Sequence, residues 1–318
     1  MVALSFVIFN ILAGGTTRIP SEAILQRQSE RLGRGEGAMT WEPMTLDEYA
    51  EFQKATGEKV VKIQGIWWAQ PRPFFFRPLF PFTEIVPEWQ KYPKKSLIGG
   101  VLHLVPADAY SNSCLNLFLY ESPEDYSLDK LGAKHRWTIK KAKERFSAKR
   151  ITSLEQFLEE APPIYHSFYD RTKYFYKPER LNKDIFAAWA KPYFENSKVV
   201  ILGAYHGGKL GAIDISYQVE DVLIDDIFFS DTESQSLQVT DFIIHTLREA
   251  AKSINARYLF RGFPTGKATL DASKVLRGCK LLKMPAYFRI NPMALFLSKV
   301  FMKQSYDKLT ASVTFPEQ

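Results

Sequence analysis

Two adjacent aspartates, Asp225 and Asp226, stand in an alternating strand and are the residues best suited to proton chemistry. The strand Val222 to Ser230 follows the strand Leu210 to Val219 across Glu220-Asp221, a two-residue hairpin turn. That turn pairs Val219 with Val222, Ser216 with Asp225 and Ile215 with Asp226. Side chains alternate, so one face carries Asp214, Ser216, Gln218, Leu223, Asp225 and Ile227. The other carries Ile213, Ile215, Tyr217, Val219, Ile224, Asp226 and Phe228. Among apolar neighbours desolvation raises a carboxylate's pKa, which makes Asp226 a candidate proton acceptor. Asp225 is expected on a polar face able to line a cleft. The competing reading has Asp226 paired with an arginine or capping a buried backbone group. A slip of one residue would exchange the two, so the pair is the unit of the expectation.

A polar loop, Asp231 to Gln238, leads from this hairpin into an amphipathic helix ending near Ile254. The free amides at a helix start bind anions, which makes Ser234, Gln235 and Ser236 candidate donor-binding residues. Against this, Asp231 and Glu233 repel an anion, and the loop has no glycine to admit a pyrophosphate. Arg261, Lys267, Lys274 and Arg277 cluster after the next strand, Arg257–Gly262. They could neutralise phosphate or carboxylate, or be ordinary surface basics. His245 falls with Asp241, Arg248 and Lys252 on the polar helix face and reads as a surface histidine. Five scattered histidines and two distant cysteines, Cys114 and Cys279, offer no ligand spacing. A metal enzyme and a disulfide scaffold are therefore not expected, and a reducing cytoplasm is.

The elements that position these residues span most of the 318-residue chain. A helix starts near Thr45 with Glu48 completing a capping box, and Lys59–Trp68 reads as a strand. Gln70–Phe82 holds four prolines and five phenylalanines, so it is neither a helix nor a central strand and is read as an extended segment packed on the core. Leu97–Pro106 and Cys114–Tyr120 follow as strands. Asp129–Phe146 is a basic helix whose charges read as a solvated face. Leu154–Trp189 is helical and aromatic, broken at Pro178. Strands at Val199–Tyr205 and near Ala286–Ile290, and a short helix near Leu270–Arg277, complete the pattern. Residues 293–318 are expected to dock a helix on the core. Val2 to Ala13 is apolar but too short to span a bilayer, which needs about 20 residues. Residues 1–38 read as an extension ahead of a second candidate start at Met39. A net charge of +7 points to an anionic partner: a CoA or nucleotide phosphate, RNA, or a lipid headgroup.

Three stretches carry a family resemblance. They are His135-Arg-Trp-Thr-Ile-Lys-Lys-Ala-Lys143, Ser167-Phe-Tyr-Asp-Arg-Thr172, and the closing run Tyr258-Leu-Phe-Arg-Gly-Phe263 with Leu270-Asp-Ala-Ser-Lys-Val-Leu-Arg-Gly-Cys279. Over about residues 60–290 the chain resembles the GNAT acyltransferase superfamily, in particular its Fem-like, two-lobed branch. Lys274 and Gly278 match the family's closing pattern of a lysine in a short helix before a glycine. The resemblance implies an α+β fold with a mixed, mostly antiparallel sheet flanked by helices. It implies a degenerate N-terminal lobe at 39–150, a second lobe at 151–292, and a C-terminal helix and tail at 293–318. It also implies transfer of an acyl or aminoacyl group from a thioester or ester donor to an amine or hydroxyl. The donor would be an acyl-CoA or an aminoacyl-tRNA and the acceptor a small molecule or cell-envelope precursor, with tRNA but not DNA as a partner. Lys274 would hold the oxyanion or the donor. The superfamily's glycine-containing pyrophosphate loop is absent from residues 231–238. The alternative expectation is a non-catalytic GNAT-like protein that binds an anionic or lipid-like partner. Location is expected to be cytoplasmic, with room for peripheral contact with the membrane.

Overall fold

The computed structural model describes residues 40–172 and 177–314; the expectations placed on residues 1–38 lie outside the described residues. From Trp41 onward the chain forms one compact unit. It opens with β1 (Pro43–Met44) and α1 (Leu46–Ala55), whose start is set by the capping box expected from Thr45 and Glu48. α1 buries Tyr49, Ala50 and Phe52.

The span Lys59–Trp68 is not one strand. Gln64 and Gly65 both take positive φ and turn it into a hairpin, β2 (Val60–Ile63) and β3 (Ile66–Arg72). The proline-rich segment supplies β4 (Phe75–Pro78), which pairs with β3 and, in parallel, with β5 (Gly100–Leu104). A central strand is thus present where the prolines argued against one. It survives because β4 is four residues long and Pro78 ends it, while Pro73 falls in the turn before it. Phe76 and Phe80 are buried, as the packed reading required.

β6 (Ser113–Glu121), α2 (Ala133–Arg145), β7 (Phe146–Arg150), α3 (Leu154–Thr172) and α4 (Lys183–Glu195) lead into β8 (Val199–His206), β9 (Lys209–Val219) and β10 (Val222–Ser230). Then come α5 (Thr232–Ser236), α6 (Val239–Ser253), β11 (Tyr258–Phe260), α7 (Ala268–Leu276) and β12 (Lys280–Ile290). α8 (Pro292–Phe301), α9 (Lys303–Ser312) and β13 (Val313–Thr314) close the described chain. The strands form one mixed, mostly antiparallel sheet in the order β2-β3-β4-β5-β12-β6-β11-β10-β9-β8-β7. β12 is longer than expected because it pairs along most of β6 and then with β5. The sheet therefore runs without a break across residue 150, and strands from the two halves of the chain alternate in its middle.

β10 and β11 position the site. Their pairing is parallel and stops after Ile224↔Phe260. β10 continues to Ser230 against β9, and β11 is carried on by Arg261 and Gly262 bonding to Phe118 of β6. Past Ile224 the two strands have no further pairs among the described residues, so from Asp225 onward β10 pairs only with β9 there. A β-bulge lies in β10 at the same place: Asp225 pairs with Ser216 as expected, but Ile215 pairs with Ile227. Asp226 is the extra residue. The bulge moves Ile227 to the Tyr217 face and Phe228 to the Asp214 face, the reverse of strict alternation.

The C-terminal helix also departs from expectation. β13 pairs with β6, and the Asn116 amide donates to the Ala311 carbonyl at 2.9 Å, so the end of α9 docks. α8 buries none of its residues. No helix among the described residues is long and apolar enough to cross a membrane.

Candidate active site

On the face that packs against α6, Asp225 meets Arg261, the first residue past the paired end of β11. Nε of Arg261 lies 2.5 Å from Oδ2 of Asp225, both side chains being largely buried. The contact is an ion pair whose angle is not that of a hydrogen bond, so neither atom has a hydrogen-bond partner. It joins β10 to β11 where their ladder ends. Burial works against the Arg261 charge, but Asp225, then Tyr120 and Cys279, outweigh it and hold the guanidinium charged. Asp214 lies beside the pair, fully buried, with neither carboxylate oxygen hydrogen-bonded. Burial, then the charge of Asp225, raises its pKa well above the ordinary range.

Lys274 reaches the same cluster from α7: Nζ donates to the Arg261 carbonyl at 2.8 Å and lies 4.7 Å from the centre of the Phe118 ring. Burial, then the charge of Arg261, lowers its pKa. Arg277 lies elsewhere. Its Nε is 3.4 Å from Asp241 in the first turn of α6, a carboxylate it shares with His135 of α2 at 3.5 Å. Lys267 lines a separate cavity of about 380 Å³ with Thr265, Gly266, Lys303, Gln304 and Asp307. The sequence cluster of four basics is thus divided among three places.

The loop expected at residues 231–238 holds the short helix α5, and several of its hydrogen-bonding groups are already in use. The Asp231 carboxylate accepts from the Ser234 amide at 2.6 Å, and the Ser167 hydroxyl accepts from the Thr232 amide at 3.1 Å. The Gln235 side-chain oxygen accepts from Ser230 and Thr240, and the Ser236 hydroxyl donates to the Glu233 carbonyl. Ser234 is pressed against Gly211 so closely that any side chain there would collide with it. His245 is not a surface histidine. It is buried against Tyr126, whose hydroxyl lies 2.8 Å from its Nδ1, because residues 120–136 cover the polar face of α6.

On the opposite face the bulge directs Asp226 toward Tyr217, and its environment differs from that of Asp225. Asp226 is exposed to solvent, whereas Asp225 beside it is buried. Desolvation raises its pKa to about 6; Tyr217 and, less strongly, the charge of Arg180 oppose the shift, and the charges of Asp225 and Glu58 add to it. Asp226 was expected among apolar neighbours; the structure instead leaves it exposed, and phenols stand among the groups whose charges act with it. Tyr49, Tyr193 and Tyr217 are each pushed up by burial first and by Asp226 next. The Tyr49 and Tyr217 rings lie 5.7 Å apart, and Phe52 packs edge-on to both Tyr193 and Tyr217. Gln53 donates to the Tyr217 hydroxyl at 3.3 Å. α1, α4 and β9 thus each bring a phenol to one carboxylate. Tyr217 was legible in the hairpin register. Tyr49 and Tyr193 were not, since nothing local ties α1 or α4 to β10.

A carboxylate of pKa near 6, open to solvent where the β10–β11 ladder ends, can accept a proton at neutral pH from a group bound beside it. Among the described residues no group of His, Cys, Asp and Glu is arranged to hold a metal ion.

Comparison with known proteins agrees with the architecture. No protein-family model matches the sequence, and no curated protein matches it. Among solved structures the chain is similar to the C-terminal DUF2156 domain of a protein assigned as a lysylphosphatidylglycerol synthetase from Agrobacterium fabrum. Identity is 10%, coverage 92% of this chain and 97% of that one, and the TM-score 0.51. It is similar to L-PGS from Bacillus licheniformis at 10% identity over 86% and 98% of the two chains, with a TM-score of 0.50. FemX follows at 10% identity, 80% and 92% coverage and a TM-score of 0.49. At such identities the likeness is one of fold. The chain has the mixed α/β, mostly antiparallel architecture that the first two of these structures share.

Proposed function

We propose that the protein transfers an acyl or aminoacyl group from a thioester or ester donor to an amine or hydroxyl acceptor, with Asp226 as the proton acceptor. The observation that carries this is the placement of Asp226: a solvent-reached carboxylate, pKa about 6, on the bulge where β10 leaves β11. The donor, an acyl-CoA or an aminoacyl-tRNA, lies where the β10–β11 ladder ends, with its carbonyl along β10. The acceptor nitrogen or oxygen attacks that carbonyl carbon, and its proton passes to Asp226. The bond to the donor's sulfur or ester oxygen breaks, and the departing thiolate or alkoxide takes up a proton. Asp225 and Arg261 tie the strands together where their ladder ends, and Lys274, anchored on the Arg261 carbonyl, supplies positive charge toward the developing oxyanion. Arg277 and the Ser234–Ser236 turn support α6 from within. The acceptor belongs to the small-molecule or cell-envelope precursor class, and the reaction is placed in the cytoplasm. The name of the Agrobacterium neighbour makes an aminoacyl ester the first donor to try.

The test is a thermal-shift screen with acetyl-CoA, longer acyl-CoAs and aminoacyl-tRNA, followed by transfer of label to a panel of amines and alcohols. Binding of a true donor raises the melting temperature by mass action. Asp226→Asn should keep that shift and lose label transfer. No shift with any donor would remove the transferase reading in favour of a non-catalytic protein for an anionic or lipid-like partner.

A further inference from the structure

We propose that α8 and the turn beside its start form a docking surface for an anionic lipid bilayer. This stands apart from the transferase reading. Met293, Phe296, Leu297, Val300 and Phe301 recur at the spacing of one helical face, and that face is turned to solvent. Their exposures run from 44% at Leu297 to 77% at Phe301, while Ala294, Leu295 and Ser298 take the half-buried side. An apolar stripe left uncovered in this way marks an interaction surface.

The surface extends beyond one helix. The Asn291 side chain caps α8, and the Asn291 amide donates to the Gly99 carbonyl at 2.7 Å, which brings exposed Leu97 and Ile98 to the same end. Next to them Trp89 is 59% exposed beneath the Arg289 guanidinium, 4.4 Å from its ring centre. Arg289 is fixed in turn by the Ser96 carbonyl at 3.1 Å.

Charge selects the occupant. Over residues 280–314 the chain carries six cations and the single acid Asp307; Lys303 pairs with Asp307 and Lys280 with Glu121, which leaves a net positive surface. Lys94 and Lys95 add two more beside Leu97. A second copy of the chain would set these cations against their own kind, and protein interfaces are poor in lysine at their centre. An anionic bilayer answers both features: acyl chains take the stripe, phosphates take the lysines, and the tryptophan suits the headgroup level.

The experiment is flotation of the full chain with vesicles of pure phosphatidylcholine and with vesicles containing phosphatidylglycerol. The protein is expected to float with the anionic vesicles, less as salt rises, and to stay in solution with the neutral ones. Phe296→Ser with Phe301→Ser should weaken that partition by on the order of tenfold for each ring removed. Both rings are exposed, so the melting temperature should not change. Lys299→Glu with Lys95→Glu should weaken it while leaving the stripe intact. Failure to float with anionic vesicles overturns the proposal, as does unchanged flotation of the phenylalanine variant. A concentration-dependent dimer abolished by Phe296→Ser would assign the stripe to a second copy and also overturn it.

Discussion

Asp225 and Asp226 are consecutive residues of one strand, and the protein treats them as opposites. Asp225 is buried on the α6 face, neutralised by Arg261 and flanked by Asp214, whose pKa is raised. Asp226 is on the α1–α4 face, open to solvent, and among the described residues no ion pair holds it. The strand's alternation separates them, and the bulge at Asp226 keeps it on the Tyr217 face while freeing it from a cross-strand partner. A carboxylate locked in a buried ion pair serves structure, whereas one open to solvent can exchange a proton. The pair thus divides two tasks between neighbours: one ties the strands, the other works where their ladder ends.

The sharpest way to break this comparison is Asp226→Asn. It should lower transfer by about 10²–10⁴-fold with folding intact. Label transfer and a melting curve on the same sample check this, and an active Asn variant would end the assignment. Next is Arg261→Leu, which strands the Asp225 charge in the interior and should cost about 3–5 kcal/mol of stability by denaturant titration. Adding Asp225→Leu should recover much of that loss, since the pair is then replaced by apolar volume. If Asp225→Leu alone were harmless, the ion pair would not be the tie between the strands.

The pH dependence separates the two aspartates more finely. Activity per molecule should fall on the acid side of about pH 6, as Asp226 takes up its proton. Stability moves the other way. A carboxyl whose pKa is raised from 3.8 to about 6 by folding binds more protons folded than unfolded between those values. Its contribution is therefore present below about pH 4 and lost as pH rises through about 6, and Asp226→Asn should abolish that slope. Tyr217→Phe removes the hydroxyl that holds the pKa down and should move the acid limb of the rate profile upward. The smallest effect is expected from Ser236→Ala: its hydroxyl serves only the Glu233 carbonyl, so the donor's apparent KM should change by less than about twofold.

Local signals accounted for much of this molecule. The Glu220-Asp221 turn, the pairing of Ser216 with Asp225, the Thr45 capping box and the break at Pro178 are all short-range and were legible from residue types alone. Three things were not. The bulge at Asp226 has no residue signature, because the run Val222–Ser230 contains no glycine or proline to mark it. The identification of residues 231–238 as an anion loop followed from helix physics, but Asp231 and Ser167 already occupy its amides, and Ser167 comes from a helix 65 residues earlier. The polar face of α6 carries the pattern of a solvated surface, and only the packing of residues 120–136 makes it an interior.

Sequence by itself determined the class of architecture, the two strands that matter and the two aspartates on them, since turn length and alternation act over a few residues. Tertiary structure alone decided which aspartate is the working one. That choice depends on Arg261, Tyr49 and Tyr193, brought from distant elements to opposite faces of β10, and desolvation and charge act through space rather than along the chain.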